Sequence, residues 1–264
     1  GGWMASEQII RDERKKNLHI LTAMVKRDFK RKYRRSVLGV VWSVLNPLLM
    51  MVVLTAVFSF MFRFSIEHYP LYIILGQILF SLVSNSTDQA MRSIVDSSSM
   101  IKKIRIEKMV FPIEKVIFEL VNFGFSCIAV IAVMAYLQVM PTWHLVFLPL
   151  VVLYTVIFSI GISLILAAMG VFFRDMFHIW GVFTTAWMYA SPIIYPMDML
   201  SGWMVDVMQF NPMYHYVQYF RDIVMWGTAP GLLENGICLG MAVITFLVGF
   251  LVFRKTERKF ILYV

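Results

Sequence analysis

The chain is 264 residues long; 59% are apolar, 15% are charged, and 24 Lys and Arg against 16 Asp and Glu give a formal net charge of +8. A mean hydropathy of +0.73 excludes an ordinary water-soluble domain. The basic balance therefore has to be read against a membrane before any nucleic acid is invoked.

Gly1 to Trp3 precede Met4, the expected native start, and read as a remnant of cloning. The stretch after Met4 is too charged for a signal peptide. Leu18, Leu21, Val25, Phe29 and Tyr33 recur at spacings of three and four, with Lys26, Arg27, Lys30, Arg31 and Arg34 on the remaining surface. The pattern predicts a basic amphipathic helix on the inner membrane surface. A solvated charged face that only sets topology fits the same residues.

Six apolar runs come next, over 37–62, 71–87, 116–137, 145–169, 178–195 and 237–253, each near the roughly 20 residues that cross a hydrocarbon core. Asn46-Pro47 in the first predicts a kink or tilt. The second and sixth are short, with polar ends at Asn85, Ser86, Thr87 and at Glu234, Asn235. The inner loop 88–112 offers Asp96 to Ser99 as N-cap residues ahead of Met100 to Ile104, which predicts a short interfacial helix. Lys115 and Glu119 enter the third run one turn apart and are expected to pair; a proton or ion pathway is the other reading. No charge is expected near a span midpoint.

Along the fifth run Trp180, Phe183, Trp187, Ser191 and Tyr195 follow helical spacing, and the first offers Trp42, Phe58 and Phe62. Periodicity alone leaves two readings, a lipid-facing or helix-packing surface and a ligand-lining one. The outer segment 197–236 is itself apolar, with Trp203, Phe210, Tyr214, Tyr216, Tyr219, Phe220 and Trp226. Asn211-Pro212 supplies an N-cap and a proline at the first helical position. His215, Gln218, Arg221 and Asp222 then mark one polar stripe, as in a helix that dips into the outer leaflet without crossing it.

All but Arg63 and Arg221 among the Lys and Arg residues fall on one side of these runs, against 11 of the 16 acids. That bias predicts a multi-pass protein of the bacterial inner membrane with both termini cytoplasmic. The expected division is a cytoplasmic segment 1–36 and a six-span domain 37–264 ending in a cytoplasmic tail, 254–264. Anionic headgroups and a cytoplasmic partner explain the basic charge, and no nucleic acid is expected.

The sequence holds no G-x-x-x-x-G-K-[ST], H-E-x-x-H, C-x-x-C or G-x-S-x-G. His19, His68, His144, His178 and His215 are scattered, and Cys127 and Cys238 sit inside apolar runs, so no metal site is expected. Without mid-span charges an ion-coupled carrier is disfavoured.

Residues 27–48, RDFKRKYRRSVLGVVWSVLNPL, resemble the N-terminal signature of the membrane subunits of polysaccharide exporters in the ATP-binding-cassette superfamily. These include the O-antigen, capsule and wall teichoic acid permeases. Phe172-Phe173-Arg174-Asp175, Ala190-Ser191-Pro192-Ile193-Ile194-Tyr195-Pro196 and Phe210-Asn211-Pro212-Met213 occur in the family's order. The resemblance implies an all-α membrane protein with six transmembrane helices per protomer, an N-terminal interface helix and hydrophobic outer gate helices between spans 5 and 6. It implies a homodimer that binds two copies of a separate cytoplasmic ABC ATPase, with ATP and Mg on that partner and no cofactor on this chain.

By the same resemblance Phe29, Tyr33, Arg34, Ile94, Ile101, Lys102 and Ile104 would meet the ATPase. Trp42, Phe58, Trp180, Phe183, Trp187, Ser191 and Tyr195 would line the channel, and Trp203, Tyr214, Tyr216 and Tyr219 would form an outer gate. The implied substrate is a polyprenyl-diphosphate-linked glycan. Aromatic rings suit it, because sugars carry apolar C–H faces and weak repeated contacts let a polymer slide. An exporter of a drug, lipid or haem, and a channel or scaffold with no ATPase, are the other classes the residues leave open.

Overall fold

Apolar chain in lipid must bond its own backbone, and the helix does so within one segment. Accordingly, the elements of the described residues are helices and helical turns: α1 (Gly2–Tyr33), α2 (Trp42–Phe62), α3 (Tyr69–Asp96), α4 (Ser98–Lys103), α5 (Val110–Leu137), α6 (Leu148–Phe172), α7 (Met176–Ala190), α8 (Gly202–Met208), α9 (Pro212–Val224), α10 (Leu232–Thr256) and α11 (Phe260–Tyr263). This computed structural model describes residues 2–62 and 66–264; Arg63, one of the two basic residues expected outside, and the Phe62 side chain lie outside that description.

Five helical segments among the described residues are long and apolar enough to span: Gly39–Met61, Tyr69–Asp96, Val110–Leu137, Trp143–Phe172 and Leu232–Tyr263. The fifth predicted run is α7, which has 15 residues and covers about 22 Å, less than a hydrocarbon core of about 30 Å. It ends because Pro192 follows Ser191, and a residue before proline is driven out of the helical region. α2 runs through Pro47 without a break.

Two runs read as short are not. α3 has 28 residues and α10 has 25, because polar side chains on their inner turns find partners. Gln89 donates to Glu119 at 2.6 Å, and Arg92 covers the Phe177 ring at 4.5 Å. The first third of the expected inner loop is thus helix, and the expected short helix comes after it as α4. Ser97 holds its cap position with no side-chain cap bond.

The Lys115–Glu119 pair is not formed. α5 starts at Val110, six residues before the predicted run, so Glu119 lies well inside the helix and is only 5% exposed. A buried carboxyl thus sits ten residues into α5, against the expectation that spans lack buried charge near their midpoints. Lys115 instead reaches Asp28 of α1 at 2.6 Å, a partner that tertiary packing supplies, and its chain neighbour Glu114 at 3.1 Å.

α3 sits at the centre, packed on α2, α5, α6, α7 and α9. α6 and α10 approach most tightly. A Cβ on Gly161 would lie 2.6 Å from the Phe246 nitrogen, and one on Gly249 would collide with the Gly161 carbonyl, the close backbone approach that small residues permit in lipid. At one end Lys16 donates to the Arg105 carbonyl at 3.2 Å, Lys108 to the Glu257 carbonyl at 2.8 Å, and Arg254 to Glu107 at 2.7 Å. The basic N-terminal helix, the loop after α4 and the C-terminal tail therefore share one end of the bundle.

Candidate functional site

α7 carries the aromatic stripe. Its ring centroids lie 5.0 Å apart for Trp180 and Phe183 and 5.6 Å for Phe183 and Trp187. Both tryptophans are anchored inward: the Trp180 N–H donates to Thr87 Oγ1 at 3.1 Å and the Trp187 N–H to Asn211 Oδ1 at 2.9 Å. Phe183 remains 50% exposed. It is the ring of the three that turns a face outward.

The helical face stops before Ser191, which has extended backbone at φ −81° and ψ 146°. The expectation that Ser191 and Tyr195 prolong the stripe is thereby corrected. Ser191 is buried, its Oγ accepting from Asn211 Nδ2 at 2.8 Å, and the Tyr195 hydroxyl turns back to donate to the Ala190 carbonyl at 2.5 Å.

Residues 191–196 form a strap outside any α-helix, and buried carbonyls there need donors. Tyr69 donates to the Ile194 carbonyl at 2.7 Å, and the Tyr72 hydroxyl is shared between the carbonyls of Pro192 and Tyr195 at 3.2 and 2.9 Å. Arg221 of α9 gives Nη1 to Pro192 at 2.7 Å, Nη2 to Ile193 at 2.9 Å, and Nε and Nη2 to the Tyr72 carbonyl at 3.2 and 2.9 Å. Its guanidinium lies 3.4 Å from the Tyr72 ring centroid. A Cβ on Gly76 would sit 2.5 Å from Arg221 Nη2, so glycine makes the room. Complete burial pushes the Arg221 pKa down to about 10, which leaves it cationic at neutral pH.

Asn211 joins this strap to α8 and α9. Its Oδ1 caps α9 by accepting from the Met213 N–H at 3.1 Å, the cap expected from Asn-Pro, and also takes the Trp187 N–H. His215 bridges Gln209, whose carbonyl is 2.7 Å from Nε2, and Glu234, 3.2 Å from Nδ1. Burial works against its cation, but the Glu234 carboxylate and the Gln209 carbonyl outweigh burial and hold the imidazole above its ordinary range.

Of the residues expected at an outer gate, Tyr216 and Tyr219 are fully buried, donating to the Cys238 carbonyl at 3.0 Å and to Asn235 Oδ1 at 2.8 Å. Tyr214 is half-buried. Trp203 is 67% exposed, and Met199, Val207 and Phe210 on the same stretch of chain are exposed as well. Trp42 and Phe58 are half-buried on α2, which packs on α3 and α5, whereas α7 packs on α3 and α6. Among the described residues Trp42 and Phe58 are not brought against the α7 rings, and both α2 and α7 keep broad exposed apolar faces, among them Leu49, Val53 and Val57 on one and Ile179, Val182 and Phe183 on the other.

The residues expected to couple to a partner divide the same way. Phe29 packs against Phe118 with the rings tilted by 46° and their centroids 4.6 Å apart, and the Tyr33 hydroxyl bonds Ser43 Oγ. Ile94 is fully buried and Ile101 half-buried in a cluster with Met24, Phe111 and Phe253. Arg34, Lys102 and Ile104 are exposed. Asp28, which joins α1 to α5, is partly buried, yet Lys115 and Arg27 hold its carboxyl below the ordinary range.

Sequence reasoning missed Arg221 as a hub and read Asn211 only as a cap. The available signal was a single arginine in an otherwise apolar outer helix, with Gly76 on a distant run.

A family model described as ABC-2 type transporter matches residues 20–225. The chain is 33% identical over 207 residues to an O-antigen export system permease protein RfbA of Myxococcus xanthus, covering 77% of this chain and 79% of that protein. A protein of the same name from Klebsiella pneumoniae is 28% identical over 243 residues, 91% of this chain and 93% of its own. The polysialic acid transport protein KpsM of Escherichia coli is 21% identical over 252 residues, 89% and 93% of the two chains.

Proposed function

This chain belongs to the ABC-2 type transporter family, and we propose that it is the channel-forming membrane subunit of an exporter that moves O-antigen- or capsule-type polysaccharide out across the bacterial inner membrane. The observation that carries the substrate class is the alignment of relatives named for such export over 91% and 89% of this chain. In this reading the glycan rides on a polyprenyl diphosphate. ATP and Mg are held by two copies of a cytoplasmic ABC subunit, and this chain binds no cofactor.

The uncovered apolar faces of α2 and α7 support a homodimer in which two copies enclose the conduit between them. Six crossings with both termini cytoplasmic result if the strap 191–196 completes the span that α7 starts. The satisfied carbonyls of that strap support this, because irregular backbone survives at membrane depth where protein donors replace water. α8 and α9 then form the outer gate, with Trp203 and Phe210 at the headgroup level. The exposed Ile104 and Lys102, with the basic residues around Arg34, meet the ATPase.

The test is removal of this chain from its host. A glycolipid should accumulate on the cytoplasmic leaflet, and ATP turnover by the co-purified ATPase should rise with lipid-linked glycan rather than with small hydrophobic drugs. Stimulation by drugs alone would place the chain among exporters of another class.

A further inference from the structure

α1 has the build of a lever. Its 32 residues extend for about 48 Å, residues 4–16 are exposed throughout, and among the spanning helices it packs chiefly on α5. The chain leaves it through residues 34–38, which lie outside any helix, and turns at Gly39 with φ +54°, a conformation glycine adopts freely. A rod held along one side and joined through such a turn can swing.

What holds it to α5 is partly ionic, and each ion of the contact has a second partner on its own helix. Asp28 of α1 meets Lys115 of α5 at 2.6 Å and its neighbour Arg27 at 3.2 Å, while Lys115 also meets its neighbour Glu114 at 3.1 Å. Glu114 is fully buried, and neither of its oxygens has a hydrogen-bond partner among the described residues. Asp28 lies close enough to share a proton with it and otherwise brings a like charge. A buried carboxyl with so little support is costly, so static packing gives no reason for it.

Exchange of partners does. Breaking a buried ion pair is most costly when it strands one charge. Here none is stranded, because Asp28 leaves with Arg27 and Lys115 turns to Glu114.

We propose that Asp28, Lys115 and Glu114 form a latch with two settings, in which Lys115 either holds α1 on α5 through Asp28 or releases it by pairing with Glu114. Glu114 is a positioning residue, the reserve partner that makes release reversible. The latch goes beyond the export reading: it serves any cytoplasmic partner that draws on α1, and its test needs no substrate.

Met24 reports the setting. It is 5% exposed in the cluster with Ile94, Phe111 and Phe253, and it reaches water when α1 leaves. The experiment uses the full chain purified in detergent, carrying Met24→Cys and Cys127→Ser, and measures the rate of reaction with a water-soluble maleimide. Cys238 is buried and reads global unfolding in the same samples.

Asp28→Asn should speed labelling at position 24 several-fold, because the docked setting loses its ion pair. Glu114→Gln should slow it several-fold, because release loses the reserve partner and docking loses a like charge beside Asp28. The sign of this second change decides. In a static cluster the same substitution only strips Lys115 of a buried partner, so α1 loosens and labels faster. Glu114→Met, apolar and similar in volume, should also slow labelling and decides in place of Glu114→Gln if labelling of Cys238 shows that variant to be unfolded. Faster or unchanged labelling when the Glu114 carboxyl is removed, or an unchanged rate in Asp28→Asn, would overturn the proposal.

Discussion

Ser126 on α5 donates its hydroxyl to the backbone carbonyl of Ser43 on α2 at 3.2 Å, and that carbonyl is the one Pro47, four residues on, cannot reach. Proline removes one intrahelical donor, and a neighbouring hydroxyl restores it, which lets α2 run unbroken where the sequence suggests a kink. Ser126→Ala should cost about 1 kcal/mol, the scale of one hydrogen bond between membrane helices. In a Pro47→Ala background, where an N–H returns, the same change should cost close to nothing. Denaturant titration of the four proteins in detergent measures the cycle; equal losses in both backgrounds would show the contact to be incidental.

Arg221 and Gly76 form a second such unit. Removing Arg221 strips donors from the carbonyls of Tyr72, Pro192 and Ile193, each bond to a charged donor being worth about 1.5–3 kcal/mol. Arg221→Met should therefore be among the most damaging single changes in the outer half. Arg221→Lys should not rescue it, since an ammonium lacks the planar fork. Gly76→Ala should mimic it by displacing the guanidinium. Thermal unfolding of the purified protein reads all three, and a stable Arg221→Met protein would show that the strap holds without these bonds.

On α7 the structure separates rings that a periodic stripe treats alike. Phe183→Ala should lower glycan export several-fold with little loss of membrane level, because the ring is half exposed and loss of one aromatic contact is worth about 1 kcal/mol. Trp187→Ala should lower the amount of folded protein, since it also breaks the bond to Asn211. Trp187→Phe should fall between. Full export by Phe183→Ala at matched levels would assign that ring to lipid.

For coupling, Ile104→Asp places a charge on an exposed side chain and should uncouple ATP turnover from export while the protein stays folded. Ile94→Asp buries a charge in the cluster around Met24 and Phe253 and should abolish accumulation outright. Comparing ATPase activity with export in Ile104→Asp membranes decides it; unchanged export would move the contact to the basic stretch around Arg34.

The His215–Glu234 bridge predicts a pH dependence. The imidazole titrates above its ordinary range, so its contribution is fully present below the unfolded-state pKa and is lost as pH rises through the folded one. Asp222 acts with the same sign, because burial raises its pKa to about 6. Protection of the α9 amides relative to their intrinsic exchange rate should therefore fall as pH rises, the Asp222 share being lost as pH passes about 6 and the His215 share above the ordinary histidine range, and Glu234→Gln should flatten the second part.

Much of this architecture is local and was readable in the residues. Apolar length marked the long helices, Asn211-Pro212 placed the start of α9, and the serines after Asp96 located α4. Each signal depends on residues a few positions apart. Charge placement also determined that the basic clusters belong together, which the bonds from Lys16, Lys108 and Arg254 bear out at one end of the bundle.

Tertiary structure alone decided what each helical face meets. Spacing puts Lys115 beside Glu119, but Asp28, 87 positions away, is the stronger partner. It puts Tyr216 and Tyr219 on an outer helix without saying that both point into the core, and it carries the α7 stripe through Ser191 although Pro192 ends the helix there. The physical reason is common to all three. In lipid an apolar face gains nothing in particular from one apolar neighbour over another, so the choice passes to the few polar groups, and their partners come from distant segments that periodicity cannot pair.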